Sequence, residues 1–374
     1  MKEYLKLLQN IIDNGITKED RTGVGCRSLF GTQMRFNMSE GTLPLVTTRK
    51  IFTRGMVEET LWFIRGSTDV KELQDKNVNI WNSWAVKDEN IEAFLCEKYE
   101  GYATDTEQER KDAFKKIFSD SKLGSIGPMY GAMWRNAPND KVHSLWPLIN
   151  VSDIPKDKLM LYAESYRNEV DNGNLSDDET KENYTSLDFY CQIKYRETID
   201  QLNDLIIGLR DKPYSRRHLI SAWLPQYLPF ENTSPENNVL MERGALAPCH
   251  FAFQCFVHPP KDENSKKRLS LMVSIRSNDF CIGNPYNTAQ YGLLLAMLAH
   301  VTNMDVHELV VTGGDTHVYL NHIELAKEQL KREPLPLPKL WLNPEIKSIF
   351  DFTVDDIKII DYVSHDKIDY PIAI

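Results

Sequence analysis

Residues 287–303 constrain this chain more than any other stretch, because a helix built from them has no polar face. Tyr291, Leu294, Leu295, Met297 and Leu298 recur at helical spacing, with further apolar residues between them. A helix that is apolar on every side belongs inside a core and needs other elements packed around it. The chain of 374 residues, 41% hydrophobic and 26% charged, holds enough apolar material for one large core or two smaller ones. Around the helix, the pattern predicts a second helix through Leu202, Leu205, Ile206 and Leu209, with strands over 218–223, 249–257 and 269–276. Nearer the start it predicts a helix over 4–14 stopped by Gly15, two strands within 26–37 separated by a kink at Gly31, and a helix over 55–64. Helices and strands mix without a strict βαβ alternation, so the expected class is α+β.

Residues 86–124 and 137–200 are rich in Lys, Asp, Glu, Asn and Tyr and only weakly periodic. They read as surface insertions in one domain spanning 1–374, because the pieces on either side are short and lack the Pro, Gly or Ser content of a linker. A formal net charge of -10 argues against wholesale duplex nucleic-acid binding, so an anionic ligand has to meet a local arginine cluster. No apolar run reaches the ~20 residues that cross a bilayer, and the first residues lack a signal-peptide core. The expectation is a cytoplasmic protein. Its cysteines, Cys26, Cys96, Cys191, Cys249, Cys255 and Cys281, show no metal-ligand spacing and read as reduced thiols, with no metal site.

Two stretches carry chemistry: Leu246-Ala247-Pro248-Cys249-His250-Phe251, and downstream Arg276-Ser277-Asn278-Asp279. A free thiol with pKa near ~8.5 is mostly protonated at neutral pH, and a nearby guanidinium favours the thiolate. Cys249 is therefore the candidate nucleophile and Arg276 its candidate activator. Cys255 and Cys281, with apolar neighbours, read as inert core thiols.

The chain resembles the thymidylate synthase family over nearly its whole length. The resemblance rests on many motifs in order: Asp20-Arg21-Thr22-Gly23, Pro44-Leu45-Val46-Thr47-Thr48, Glu59-Thr60-Leu61-Trp62-Phe63, Ile80-Trp81, Gly127-Pro128-Met129-Tyr130-Gly131, Ser215-Arg216-Arg217, Pro248-Cys249-His250, Arg276-Ser277-Asn278-Asp279, Pro285-Tyr286-Asn287 and Gly314-Asp315-Thr316-His317-Val318-Tyr319. It implies a mixed twisted sheet flanked by helices, with sheets packed back to back in a homodimer. It also implies reductive methylation of dUMP to dTMP, with methylene-tetrahydrofolate as co-substrate. Uracil C5 becomes reactive only after a nucleophile adds at C6, which suits a thiolate.

Residue by residue, the resemblance implies that Arg21, Arg276 and Ser277 hold the nucleotide phosphate. It implies that Arg216 and Arg217 reach it across the dimer interface. His317 and Tyr319 would meet the sugar hydroxyl, and Asn287, able to donate and accept at once, would select uracil over cytosine. Glu59 and Tyr130 would handle water and protons, and Asp279 the folate pterin. Ile80, Trp81, Trp84, Ile282, Gly283 and Tyr286 would wall the folate, and the apolar end at Ile374 would close over it.

The chain departs from the usual pattern at Ile275 and Met133, each standing where Gln is common, at Asn278 and Asn284, and in the order of Arg49-Lys50. These departures keep two other readings open. A deoxyuridylate hydroxymethylase would add water where the synthase adds hydride. A non-catalytic nucleotide- or RNA-binding homologue would be expected to lose Cys249, Glu59 or Asp279, which are all present.

Overall fold

The computed structural model describes residues 1–20, 22–98, 108–145 and 191–372. Arg21, Ile374 and the middles of both insertions lie outside the described residues. The described residues form two units: Met1–Asn136 with Asp200–Ile374, and Ala137–Ile199.

In the larger unit, helix α1 (Lys2–Asn14) buries Tyr4, Leu8, Ile11 and Ile12, the face predicted from their spacing. Strand β1 (Ile16–Lys18) pairs with β2 (Cys26–Asn37). The two strands expected within 26–37 are one strand. Gly31 bends it at φ 77°, a left-handed value that glycine adopts without a Cβ clash, and pairing continues on both sides of the bend. Helix α2 (Thr53–Arg65) follows, then α3 (Lys71–Gln74). Helices α4 (Asp88–Lys98) and α5 (Gln108–Lys122) come from the first insertion, and Ile91, Phe94 and Leu95 of α4 are buried in the main core. Helix α6 (Tyr130–Asn136) crosses α2 so closely that a Cβ on Gly131 would lie 2.2 Å from the Phe63 carbonyl oxygen.

The second unit contains an antiparallel hairpin of β3 (Ala137–Leu145) and β4 (Cys191–Ile199), in register from Ala137↔Ile199 to Leu145↔Cys191.

Back in the larger unit, α7 (Gln201–Asp211) is capped by the Asp200 side chain. Strand β5 (Leu219–Ser221) is shorter than expected, and the His218 ring is held by the carbonyls of Lys212 and Pro213. Helix α8 (Pro235–Leu240) leads to β6 (His250–His258) and β7 (Arg268–Asp279). The apolar helix is α9 (Gly283–Val301), with fifteen of its nineteen residues buried, as expected of a helix without a polar face. It begins four residues before Asn287, because Pro285 fits a first turn that needs no N–H and Asp279 Oδ1 accepts the N–H groups of Cys281 and Ile282. Asn287 therefore lies inside the helix and is not its cap. Strand β8 (Asp305–Tyr319), helix α10 (Ile323–Leu330) and a small ladder of β9 (Lys339–Leu342) with β10 (Ile357–Ile360) complete the chain.

The six-stranded sheet runs β1-β2-β8-β7-β6-β5, and only β7 with β8 is parallel. That crossover is made by α9, so the class is α+β with a mixed sheet. One face carries Phe253, Cys255, Leu271, Val273 and Val311 into the core. The other exposes Leu219, Phe256 and Met272, by 50, 63 and 36%. No helix among the described residues is long and apolar enough to cross a membrane.

Candidate active site

The parallel pair lays two motifs side by side at the carboxyl ends of β7 and β8: Ser277 beside Asp315, Asn278 beside Thr316, and Asp279 beside His317. Cys249, the residue just before β6, lies beside them, since the Arg276 N–H donates to its carbonyl at 2.8 Å. The Arg276 guanidinium then reaches back to the loop before the cysteine, donating from Nε to the Pro248 carbonyl (2.9 Å) and from Nη2 to the Ala247 carbonyl (2.8 Å). Arg276 thus braces the turn that presents the thiol.

Its charge does not set the thiol's resting state. Burial pushes the Cys249 thiol above its ordinary range, against the opposing pull of Arg276 and of a hydrogen bond from Tyr130. The pull of Arg276 has the direction expected from the sequence, but desolvation outweighs one guanidinium already bonded to two carbonyls. Cys255 and Cys281 are also raised by burial, Cys255 to about 12, which fits inert thiols.

Tyr130 occupies a positive φ of 36° next to Gly131, and its hydroxyl accepts the Cys249 N–H at 3.0 Å. Its ring stacks on His250 at 4.0 Å. His250 Nδ1 pairs with the Tyr291 hydroxyl at 2.9 Å, and burial lowers the imidazole's pKa to about 3, so it stays neutral. Burial also raises the Tyr130 and Tyr291 phenols, which stay protonated.

Glu59 lies on α2 with both carboxyl oxygens engaged. The Trp81 indole donates to Oε1 at 2.7 Å and the Gln290 amide to Oε2 at 2.6 Å. Desolvation raises its pKa to about 7, although both hydrogen bonds favour the charged form. Sequence reasoning found Glu59 and Trp81 but not their bond, and it missed Gln290 and Tyr291. Spacing held a signal: Gln290 stands three residues after Asn287, on the same side of α9.

Asp279, Gly283 and Asn287 adjoin: a Cβ on Gly283 would stand 3.8 Å from Asp279 Cβ and 3.9 Å from Asn287 Nδ2. Asn278 and Asn284 have a structural account. Asn284 donates to Asn278 (3.0 Å), Asn278 to Thr316 (3.3 Å), and Thr288 to Asn284 (3.3 Å), while Thr316 pairs with Thr32 (2.7 Å). Satisfied buried amides of this kind join β7, β8 and the start of α9. Gly313 makes room, since a Cβ there would lie 2.2 Å from Thr316 Oγ1. Ile275 and Met133 are core residues.

The remaining expected residues fall around this cluster. Trp84 meets Trp81 edge to face at 5.7 Å, Ile282 and Tyr286 are half-buried, and Ile80 is 45% exposed. His317 and Tyr319 pack ring against ring at 5.2 Å. Arg216 and Arg217 are exposed on the loop before β5. Of the basic pair Arg49-Lys50, Arg49 is buried and donates to the Cys281 carbonyl at 2.5 Å, so only Lys50 is exposed. The tail is pinned as far as Pro371, whose carbonyl meets His322 at 2.6 Å.

The family model described as Thymidylate synthase matches residues 2–374. A thymidylate synthase from Francisella tularensis subsp. holarctica is 36% identical over 374 residues, covering all of both chains. One from Mycoplasma mobile is 37% identical over 379 residues, again covering both in full. The chain belongs to the thymidylate synthase family and is an enzyme of the methyltransferase class.

Proposed function

We propose that this enzyme methylates dUMP to dTMP in the cytoplasm, as a homodimer. The observation that carries the reading is Cys249, its turn braced by Arg276 and its N–H held by Tyr130, whose ring packs against Trp81, the indole that holds Glu59. Methylene-tetrahydrofolate, when bound, supplies the one-carbon unit and the hydride. Trp84 and the exposed Ile80 beside Trp81 would suit its flat pterin, with Ile282 and the Asp279 carboxylate as the further residues that would hold it.

The residues divide the work. Cys249 loses its proton and bonds to C6 of the uracil ring, pushing an electron pair toward C5 and the C4 carbonyl. The Arg276 Nη1, without a hydrogen bond among the described residues, faces the nucleotide phosphate with Arg21 and Ser277. Phosphate from the partner subunit meets the exposed Arg216 and Arg217. The open sheet face bearing Leu219, Phe256 and Met272 is the surface that a second copy covers. Asn287 reads the uracil edge, and His317 and Tyr319 the sugar hydroxyl. Glu59, able to change protonation near neutrality, holds the water that relays protons. Neutral Tyr130 carries the C5 proton outward through that water, and the carboxyl-terminal residues to Ile374 close the cleft.

Incubating the protein with dUMP and methylene-tetrahydrofolate tests the reading. The expected product is dTMP with a rise in dihydrofolate absorbance; a hydroxymethyl product without that rise would identify the water-adding reaction instead.

A further inference from the structure

We infer that Gln290 is a positioning residue for Glu59: its amide fixes Oε2 while the Trp81 indole fixes Oε1, so that the carboxyl keeps a single orientation toward the cleft. This rests on the role proposed above for Glu59. Three observations carry it. The bond is short, 2.6 Å, and joins residues 231 apart in sequence, so it exists only because α2 packs against α9. Gln290 is buried at 6% exposure, and an amide donor there has no water to turn to. The same side of α9 carries Asn287 one turn earlier and Tyr286 four residues earlier, so the helix that reads the pyrimidine also sets the carboxyl.

A glutamine suits this place. Neutral, it donates to the carboxylate without the full charge of Lys or Arg, and its amide partly offsets the burial that pushes Glu59 up to about 7. A side chain of similar length without a donor would leave Oε2 bare, and burial would then act on Glu59 with less opposition. Gln290 also lines a small cavity with Thr60, Trp134, His250 and Leu294.

The test is a carbon-13 NMR titration of the Glu59 carboxyl in the unliganded protein, for the native chain, Gln290→Met and Gln290→Glu. Met preserves volume and removes the donor; Glu places a second carboxyl against the first, so that the two share a proton. The Glu59 midpoint is expected to rise by about one unit in Gln290→Met, a tenfold change in its ratio of ionised to neutral form, and at least as far in Gln290→Glu. The acid limb of kcat should move with it, while KM for dUMP stays within about threefold of native. An unmoved midpoint in whichever variant folds would overturn the inference and leave Gln290 as a stitch between helices. Because the titration needs no turnover, it reads the same way even if the native protein makes no dTMP, the result that would sink the functional reading instead.

Discussion

The two sides of the cleft hold their reactive groups by opposite means. On the thiol side, a full cation stands beside Cys249, yet its donors Nε and Nη2 go to the carbonyls of Pro248 and Ala247, and burial keeps the thiol protonated. On the carboxyl side no cation among the described residues bonds to Glu59; two neutral donors, Trp81 and Gln290, grip it, and burial raises its pKa to about 7. A charge whose Nε and Nη2 donors go to a loop therefore does less for a neighbour's ionisation than its proximity suggests, whereas two well-aimed dipoles keep a buried carboxyl within reach of neutrality. In this resting state the thiol is protonated although a cation stands beside it, because one guanidinium does not offset the desolvation.

The largest effect is expected on the thiol side. Cys249→Ser should lower turnover by ~10⁴-fold or more while leaving dUMP affinity close to native, measured by single-turnover kinetics and calorimetry. Loss of nucleotide binding in that variant would make the cysteine structural. Arg276→Met should slow iodoacetamide alkylation of Cys249 by about tenfold at fixed pH, through a higher thiol pKa. Equal alkylation profiles would show that Arg276 acts only on the loop.

On the carboxyl side the sign follows from linkage. Glu59 has a folded pKa raised from 4.5 to about 7, so its contribution to stability is fully present below 4.5 and is lost as pH rises through 7. The loss is on the order of 3 kcal/mol. His250 runs the other way: its folded pKa is depressed from 6.5 to about 3, so its contribution is present above 6.5 and is lost as pH falls toward 3. The two overlap and partly cancel in the native chain. Denaturant titrations of Glu59→Gln against native between pH 4.5 and 7.5 should therefore expose the His250 slope alone, with stability falling more steeply toward acid. A pH-independent difference would contradict the assigned burial of Glu59. At the edge of the cleft, Asn287→Asp should shift preference from dUMP toward dCMP by about tenfold in kcat/KM. Unchanged discrimination would refute its reading of the ring.

Much of the fold was legible in apolar spacing. Tyr4, Leu8, Ile11 and Ile12 marked α1, and the unbroken apolar run marked α9 as a core helix. The start of α9 was misplaced because its first turn depends on Asp279 accepting two N–H groups, a contact that periodicity does not record. Gly31 was read as a break because a left-handed residue looks like a strand end until the partner strand is seen to continue past it. Asn278 and Asn284 stood out only as departures; that they satisfy each other is a property of strand register and crossover.

The sequence by itself determined the family and the identities of the reactive groups, because motifs such as Pro248-Cys249-His250 and Arg276-Ser277-Asn278-Asp279 survive without coordinates. Only the tertiary structure decided their resting protonation and their holders. Desolvation and hydrogen bonding depend on what packs within a few ångströms, and for Glu59 that neighbour is Gln290, 231 residues away along the chain.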